Sequence, residues 1–167
     1  WVRVCAPPVA SARRRIADLG ETGRVELFHH DITSGDGDPI PLEKGSADVV
    51  MMVFVLSALD LSEAKVALAK AYEYLKPGGV IVLRDYAEGD LTQLRFKPHR
   101  CIGENLYMRG DGTRAFFLTQ EELHRIMEET GFQEIQNKLI QSLRTNRKEK
   151  KLMHRLMLQG KYRKPYH

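Results

Sequence analysis

LKPGGVIVLRDY, residues 75–86, decides the architecture. Pro77 and Gly78 end a helix, because proline brings no N–H to the ladder and glycine accepts the left-handed turn that closes a last turn. Four apolar residues follow, Val80 to Leu83, as in a strand covered on both faces. Upstream, Leu61, Ala64, Leu68, Tyr72 and Leu75 fall on one helical face, with Ser62 as the expected cap. Before that helix, DVVMMVFV at 48–55 is a second almost unbroken apolar run. Strand, helix, strand at this spacing is a βαβ unit, which calls for parallel pairing and a right-handed crossover.

Beyond Leu83 the chain enters a stretch too long and charged for a turn, yet too aromatic for a solvated linker: RDYAEGDLTQLRF, then CIGENLYMRGDGTRAFFLT, ending at Thr119. A long insert at the carboxyl end of a parallel strand lies where open α/β sheets take their ligands. Thr119 then caps a helix over 120–130, with Glu122 completing a capping box, Leu118 set to staple onto Leu123, and Gly131 as the stop. Residues 132–143 and 152–159 read as an antiparallel pair joined by the basic loop TNRKEKK. In the other direction, Val25 to His29 is a strand candidate ending at Asp31, and residues 33–46 form a Gly, Asp and Pro loop. Val9, Ala12, Ile16 and Leu19 mark a helix stopped by Gly20, and Val2 to Cys5 a short first strand.

At 167 residues and 43% hydrophobic, the chain supports one domain over 1–167, with a substrate insert at about 85–118. No apolar run reaches 18 residues, so no membrane span is expected, and the opening WVRVCAPPVA lacks the features of a signal peptide. Cys5 and Cys101 are too far apart in sequence for a zinc motif or disulfide framework, which suits a reducing compartment, cytoplasmic or mitochondrial. Charge is unevenly spread: residues 138–167 carry ten Lys or Arg against one acid, Glu149, hence +9 in a chain of +4, leaving −5 for the rest. A basic end on a mildly acidic body fits a polyanion such as nucleic acid; taken alone, it also fits a solvated hairpin.

The succession HHDIT, SADVVMMVFVLSAL and YLKPGGVIVLRDY with an antiparallel last pair resembles the class I S-adenosylmethionine-dependent methyltransferases. More narrowly, RDYAEGDLTQLRF with ENLYMRGDGTRAFFLTQEEL resembles the methyltransferase-like family that makes 3-methylcytidine in the tRNA anticodon loop. The resemblance implies an α/β fold, a Rossmann-like class I methyltransferase sheet, mostly parallel with an antiparallel C-terminal strand pair. It implies S-adenosylmethionine as cofactor, tRNA as partner, and an aminoacyl-tRNA synthetase or other tRNA-presenting protein as a further partner.

Carried onto this chain, the resemblance sets Asp31 and the backbone of Ile32 at the adenine, where a carboxylate accepts from the exocyclic amine. Read without it, Asp31 simply closes a turn. Val53, Phe54 and Ser57 would line the cofactor pocket; as plain core they would look the same. Asp85 and Tyr86 would be the catalytic pair, Asp85 steadying positive charge on the methylated ring. Arg84, Arg95, Phe96, Asn105, Tyr107, Arg109 and Arg114 would face the nucleotide by stacking or phosphate pairing. Phe116 and Phe117 read instead as packing beneath the insert, Gly110 and Gly112 as a tight turn, and no metal ligand set surrounds His29, His30 or His99.

Two positions depart from the family. Its first strand and Gly-rich loop are missing from this sequence, and Ala6 stands where an acidic residue should hold the ribose hydroxyls, a task its methyl cannot do. Two readings follow: a tRNA 3-methylcytidine methyltransferase lacking its N-terminal cofactor loop, or a noncatalytic RNA-binding or assembly subunit derived from one. A dehydrogenase ranks behind both, since GxGxxG is absent and the antiparallel end pair is unlike that fold.

Overall fold

In a computed structural model the described residues are 6–34, 40–146 and 151–166, excluding the side chains of 6–8, 146 and 151. The chain divides into two compact units, Trp1–Glu43 and Lys44–His167. The expected strand Val2–Cys5 and part of the basic loop, residues 147–150, lie outside the described residues.

The first unit is built on α1 (Ala6–Asp18). Gly20, at φ +72, turns the chain out of it, with its N–H on Ala17 O at 3.0 Å and that of Glu21 on Ile16 O at 3.1 Å. Ala6 is thus the first residue of a helix. Residues 25–29 form no strand, contrary to expectation. A strand exists only where a neighbour completes its ladder, and here Leu27 O is instead taken by Arg13 Nη2 at 2.9 Å.

The second unit carries the sheet. Its strands are β1 (Ala47–Val53), β2 (Leu75–Tyr86), β6 (Gln133–Asn146) and β7 (Lys151–Arg163), in the order β1-β2-β7-β6. β1 and β2 run parallel, Met52 opposite Leu83, while β7 lies antiparallel to both β2 and β6. The crossover between β1 and β2 is α2 (Leu61–Tyr74). Its cap is Asp60 rather than Ser62: Asp60 Oδ1 accepts from Glu63 N at 2.9 Å, Glu63 Oε2 returns the bond to Asp60 N at 2.9 Å, and the Ser62 hydroxyl supports the cap at 2.7 Å. At the other end, Lys164 Nζ donates to the carbonyls of Tyr72 and Leu75 at 2.7 and 2.8 Å, meeting acceptors that a helix C-terminus leaves open. Gly78, at φ +77, passes so near the Tyr166 ring that a Cβ would fall 2.3 Å from it.

Between β2 and β6 come α3 (Leu91–Leu94), the small antiparallel sheet of β3 (Cys101–Gly103), β4 (Leu106–Met108) and β5 (Arg114–Phe116), and then α4 (Gln120–Glu129). Burial alternates along β2: Ile81, Leu83 and Asp85 point into the core, Val80, Val82, Arg84 and Tyr86 to the opposite side. The core joins those inward residues to Ala67 and Leu68 of α2, Leu123, Ile126 and Met127 of α4, and Leu158 and Tyr162 of β7. On the opposite face Val49, Met51 and Val53 are about half exposed or more.

The capping box predicted at Thr119 is present, its hydroxyl accepting from Glu122 N at 3.0 Å and Glu122 Oε2 from Thr119 N at 2.8 Å. Gly131 follows at φ +97. Thr119→Ala should lower unfolding free energy by about 1 kcal/mol, read as a shift in the urea midpoint with an unchanged slope.

Candidate functional site

The carboxyl ends of β1 and β2 meet at Phe54. Its N–H donates to Arg84 O at 2.9 Å, and its backbone stands at φ +56, a left-handed conformation that costs a bulky residue roughly 1–3 kcal/mol. The chain then makes a short 3-10 turn, Leu56–Ala58, before the α2 cap. Asp85 secures that turn to β2. Its Oδ2 accepts from Ser57 N at 3.0 Å and its Oδ1 from Tyr86 N at 2.9 Å, with only 1% of the residue exposed. Burial pushes its carboxyl above the usual range, although hydrogen bonds from Ser57 and from the Tyr86 and Leu56 backbone pull the other way.

The insert is anchored at its base by Asp90, fully buried. Asp90 Oδ1 caps α3 by accepting from Thr92 N at 2.8 Å, while Oδ2 accepts from Arg155 Nε at 2.9 Å and Leu156 N at 2.8 Å on β7. Burial opposes its ionisation, but the bonds from Arg155, Thr92 and Leu156 prevail and hold the carboxyl below its usual value. Further out, Gln93 takes Gly89 N at 2.6 Å and donates to Asn105 Oδ1 at 2.8 Å, and Asn105 Nδ2 reaches Glu88 at 3.2 Å. Arg114 on β5 closes the other side with 3.0 Å and 2.5 Å bonds to Asp60 and Glu63 at the start of α2.

Inside this frame five rings form one cluster. Phe117, buried, lies 5.6 Å from Tyr86, 5.7 Å from Tyr107 and 6.2 Å from Phe96 between centroids. Phe96 and Tyr107 stack at 4.8 Å, and Tyr86 meets Phe54 at 5.0 Å. Two guanidinium groups, those of Arg109 and Arg155, each lie 5.7 Å from the Tyr86 ring centre, within cation–π range. Phe54 is 45% exposed, so the cluster opens to solvent at the strand ends. Arg109 is presented by a tight turn in which Asp111 accepts from Thr113 N and Oγ1 and Gly112 takes φ +81.

Of the residues singled out from sequence, the structure gathers Tyr86, Phe96 and Tyr107 around Phe117, with Phe54 and Arg109 against Tyr86. Asn105 and Arg114 are near but already engaged, fastening the insert rather than presenting free polar groups. Arg95 is exposed just past α3, and Arg84 lies on the opposite sheet face with Val53, along a shallow depression of about 400 Å³ shared with Met51, Gln159 and Lys161. Ser57 and Asp85 point inward, so neither lines an open pocket: the turn's N–H groups need an acceptor, and the buried carboxylate supplies it. Asp31 makes an Asx-type turn, its Oδ1 accepting from Thr33 N at 2.9 Å and Thr33 Oγ1 at 2.7 Å; with the half-buried Ile32 it belongs to the first unit. Phe116 and Phe117 pack, as expected. Sequence reasoning missed Arg155 and Asp90, 65 residues apart, and no local signal joins them.

A family model described as a methyltransferase domain matches residues 9–137. The chain belongs to the methyltransferase domain family. The domain is 42% identical over 144 residues to the tRNA N(3)-cytidine methyltransferase METTL2 of Danio rerio, covering 86% of this chain and 40% of that protein. It is 43% identical to the tRNA N(3)-methylcytidine methyltransferase Mettl2 of Drosophila melanogaster, over 85% of this chain and 43% of that one. The chain thus spans less than half the length of these curated relatives. Its fold matches solved methyltransferases at low identity. A SAM-dependent methyltransferase of Methanosarcina mazei superposes with a TM-score of 0.74 at 15% identity, over 99% of this chain and 81% of that chain. The 1,6-didemethyltoxoflavin-N1-methyltransferase of Burkholderia thailandensis, solved with S-adenosylhomocysteine, gives 0.63 at 16% identity, over 97% and 58%. The mixed sheet is therefore the Rossmann-like arrangement expected from the sequence.

Proposed function

We propose that the protein containing this chain transfers a methyl group from S-adenosylmethionine to N3 of a cytidine in the tRNA anticodon loop. The observation that carries the reading is the ring-and-guanidinium cluster at the carboxyl ends of β1 and β2, in a chain over 40% identical to enzymes named for that reaction. Such a cluster suits an unpaired base: rings stack on its faces and guanidinium groups hold its phosphates. N3 of an unpaired cytosine already carries a lone pair, so no group has to remove a proton from it. The work left to the protein is alignment and exclusion of water, worth up to roughly 7–11 kcal/mol of barrier.

The residues present fit the cofactor in part. When bound, it supplies an electrophilic methyl on sulfonium, which leaves S-adenosylhomocysteine behind. Val53 and Phe54 offer part-exposed apolar surface at the end of β1; Asp31 and Ile32 belong to the first unit and have the adenine role only as the resemblance implies it. Ser57 drops out of that set, since its N–H is committed to Asp85. Ala6 favours the second reading, an RNA-binding or assembly subunit without catalysis. The partner is tRNA; a synthetase or other tRNA-presenting protein extends the same proposal. A cytoplasmic or mitochondrial compartment is proposed with it, in keeping with the free, exposed thiol of Cys101.

The test is methyl transfer by the full-length protein to an anticodon stem-loop, using methyl-labelled S-adenosylmethionine. Label should enter RNA with a loop cytidine and produce a reverse-transcription stop there. Replacing that cytidine by uridine should abolish both signals. RNA binding with neither label nor cofactor affinity would establish the noncatalytic reading instead.

A further inference from the structure

Phe54 holds a conformation that only a firmly built surrounding sustains in a residue of its size. Its N–H bond to Arg84 O fixes one side. The other side depends on the turn that follows, and that turn hangs on Asp85: Ser57 N donates to Oδ2 at 3.0 Å. The second oxygen takes Tyr86 N at 2.9 Å. One buried carboxylate therefore grips both residues that carry the facing rings, Tyr86 directly and Phe54 through its turn. No Lys or Arg among the described residues pairs with it. Its oxygens are met by the N–H groups of Ser57 and Tyr86 and are turned away from the open end of the cluster.

We infer that Asp85 is a positioning residue rather than a catalytic one: by tying the Leu56–Ser57 turn to β2, it fixes the Phe54 ring against Tyr86 and so sets the ring surface on which a flat base stacks. The inference deepens the proposed methyl transfer for its kinetic consequence, while the ring geometry stands on the fold alone. A direct electrostatic role and a positioning role make opposite statements about coupling. If the carboxylate acts through Phe54, removing the ring removes the reason for the carboxylate; if it acts on developing charge, the two losses are independent.

The experiment uses Asp85→Asn, Phe54→Leu and the double variant in the full-length protein, with single-turnover methylation of an anticodon stem-loop and the NOE between the rings at 54 and 86. Asp85→Asn should weaken the NOE and slow single turnover by about 10-fold, as displaced positioning groups do. In the Phe54→Leu background the same change should cost less than about 2-fold, the non-additivity expected of coupled sites. An equal loss in both backgrounds, or an NOE unchanged in Asp85→Asn, would overturn the inference. If Asp85→Asn does not fold, Asp85→Glu keeps the charge but carries the carboxylate oxygens away from Ser57 N and Tyr86 N, and should weaken the NOE; an unchanged NOE there overturns it too. Should the unaltered protein methylate no RNA, the proposed function fails, and the NOE alone decides the positioning role.

Discussion

Tyr86→Ala is expected to lower kcat/KM for methylation of the stem-loop by roughly 10- to 100-fold, the loss that removal of one stacking ring entails at about 1–3 kcal/mol per base. The size follows from where the ring sits. It touches Phe54 at one side and Phe117 at another, and it is the ring over which both guanidinium groups lie. Truncation therefore removes a stacking surface and leaves Arg109 and Arg155 without the π-face that orients them. Tyr86→Phe keeps the ring under both guanidinium groups and loses only the hydroxyl; it should retain most of the activity. Steady-state kinetics on the two variants, with melting curves to confirm folding, make the comparison. An alanine variant as active as the parent would show that the base binds elsewhere.

Asp90→Ala should be the more damaging change to the fold, lowering unfolding free energy by about 3–5 kcal/mol, as when one partner of a buried pair is removed. The carboxylate is fully buried and bonded to Arg155, Leu156 and Thr92. Its loss leaves a largely buried guanidinium unpaired and two backbone donors unmet, and it frees the base of the insert from β7. The pH dependence gives a second measure. Because the folded state holds this carboxyl below its usual value, its stabilisation is fully present above the unfolded value near 4 and is lost as pH falls through the lower folded value. The gap between parent and variant in urea midpoint should thus narrow below about pH 4. Asp85 contributes with the opposite sign: its carboxyl is raised by burial, so its share is present at acid pH and declines as pH rises through the folded value.

Both predictions turn on residues that were unequally visible. Tyr86 stands in a motif, RDY, that its neighbours mark as the exit of a buried strand. Phe54 could be named as pocket-lining, but nothing in its side chain announces a left-handed backbone. Asp85 was legible as a charge at the right end of the right strand, and the attractive inference from that position was direct chemistry. The structure turns it inward because residue 85 shares the buried face of β2 with Ile81 and Leu83, a consequence of period-two alternation once the sheet is covered on that side.

Local order was fixed by the chain's own pattern: the βαβ unit from two apolar runs flanking a helical face, the Thr119 capping box, the antiparallel last pair and the aromatic insert. These depend on neighbours within a turn or along a strand, so periodicity and caps report them. Tertiary structure decided the rest. It withheld strand form from residues 25–29, which have no ladder partner among the described residues, spent Arg114 on Asp60 and Glu63, turned Arg84 to the face away from the core, and brought Arg155 from β7 to Tyr86 by way of Asp90. A side chain's task depends on which distant group it meets, and burial makes that meeting compulsory: a carboxylate taken out of water must find donors wherever in the chain they stand.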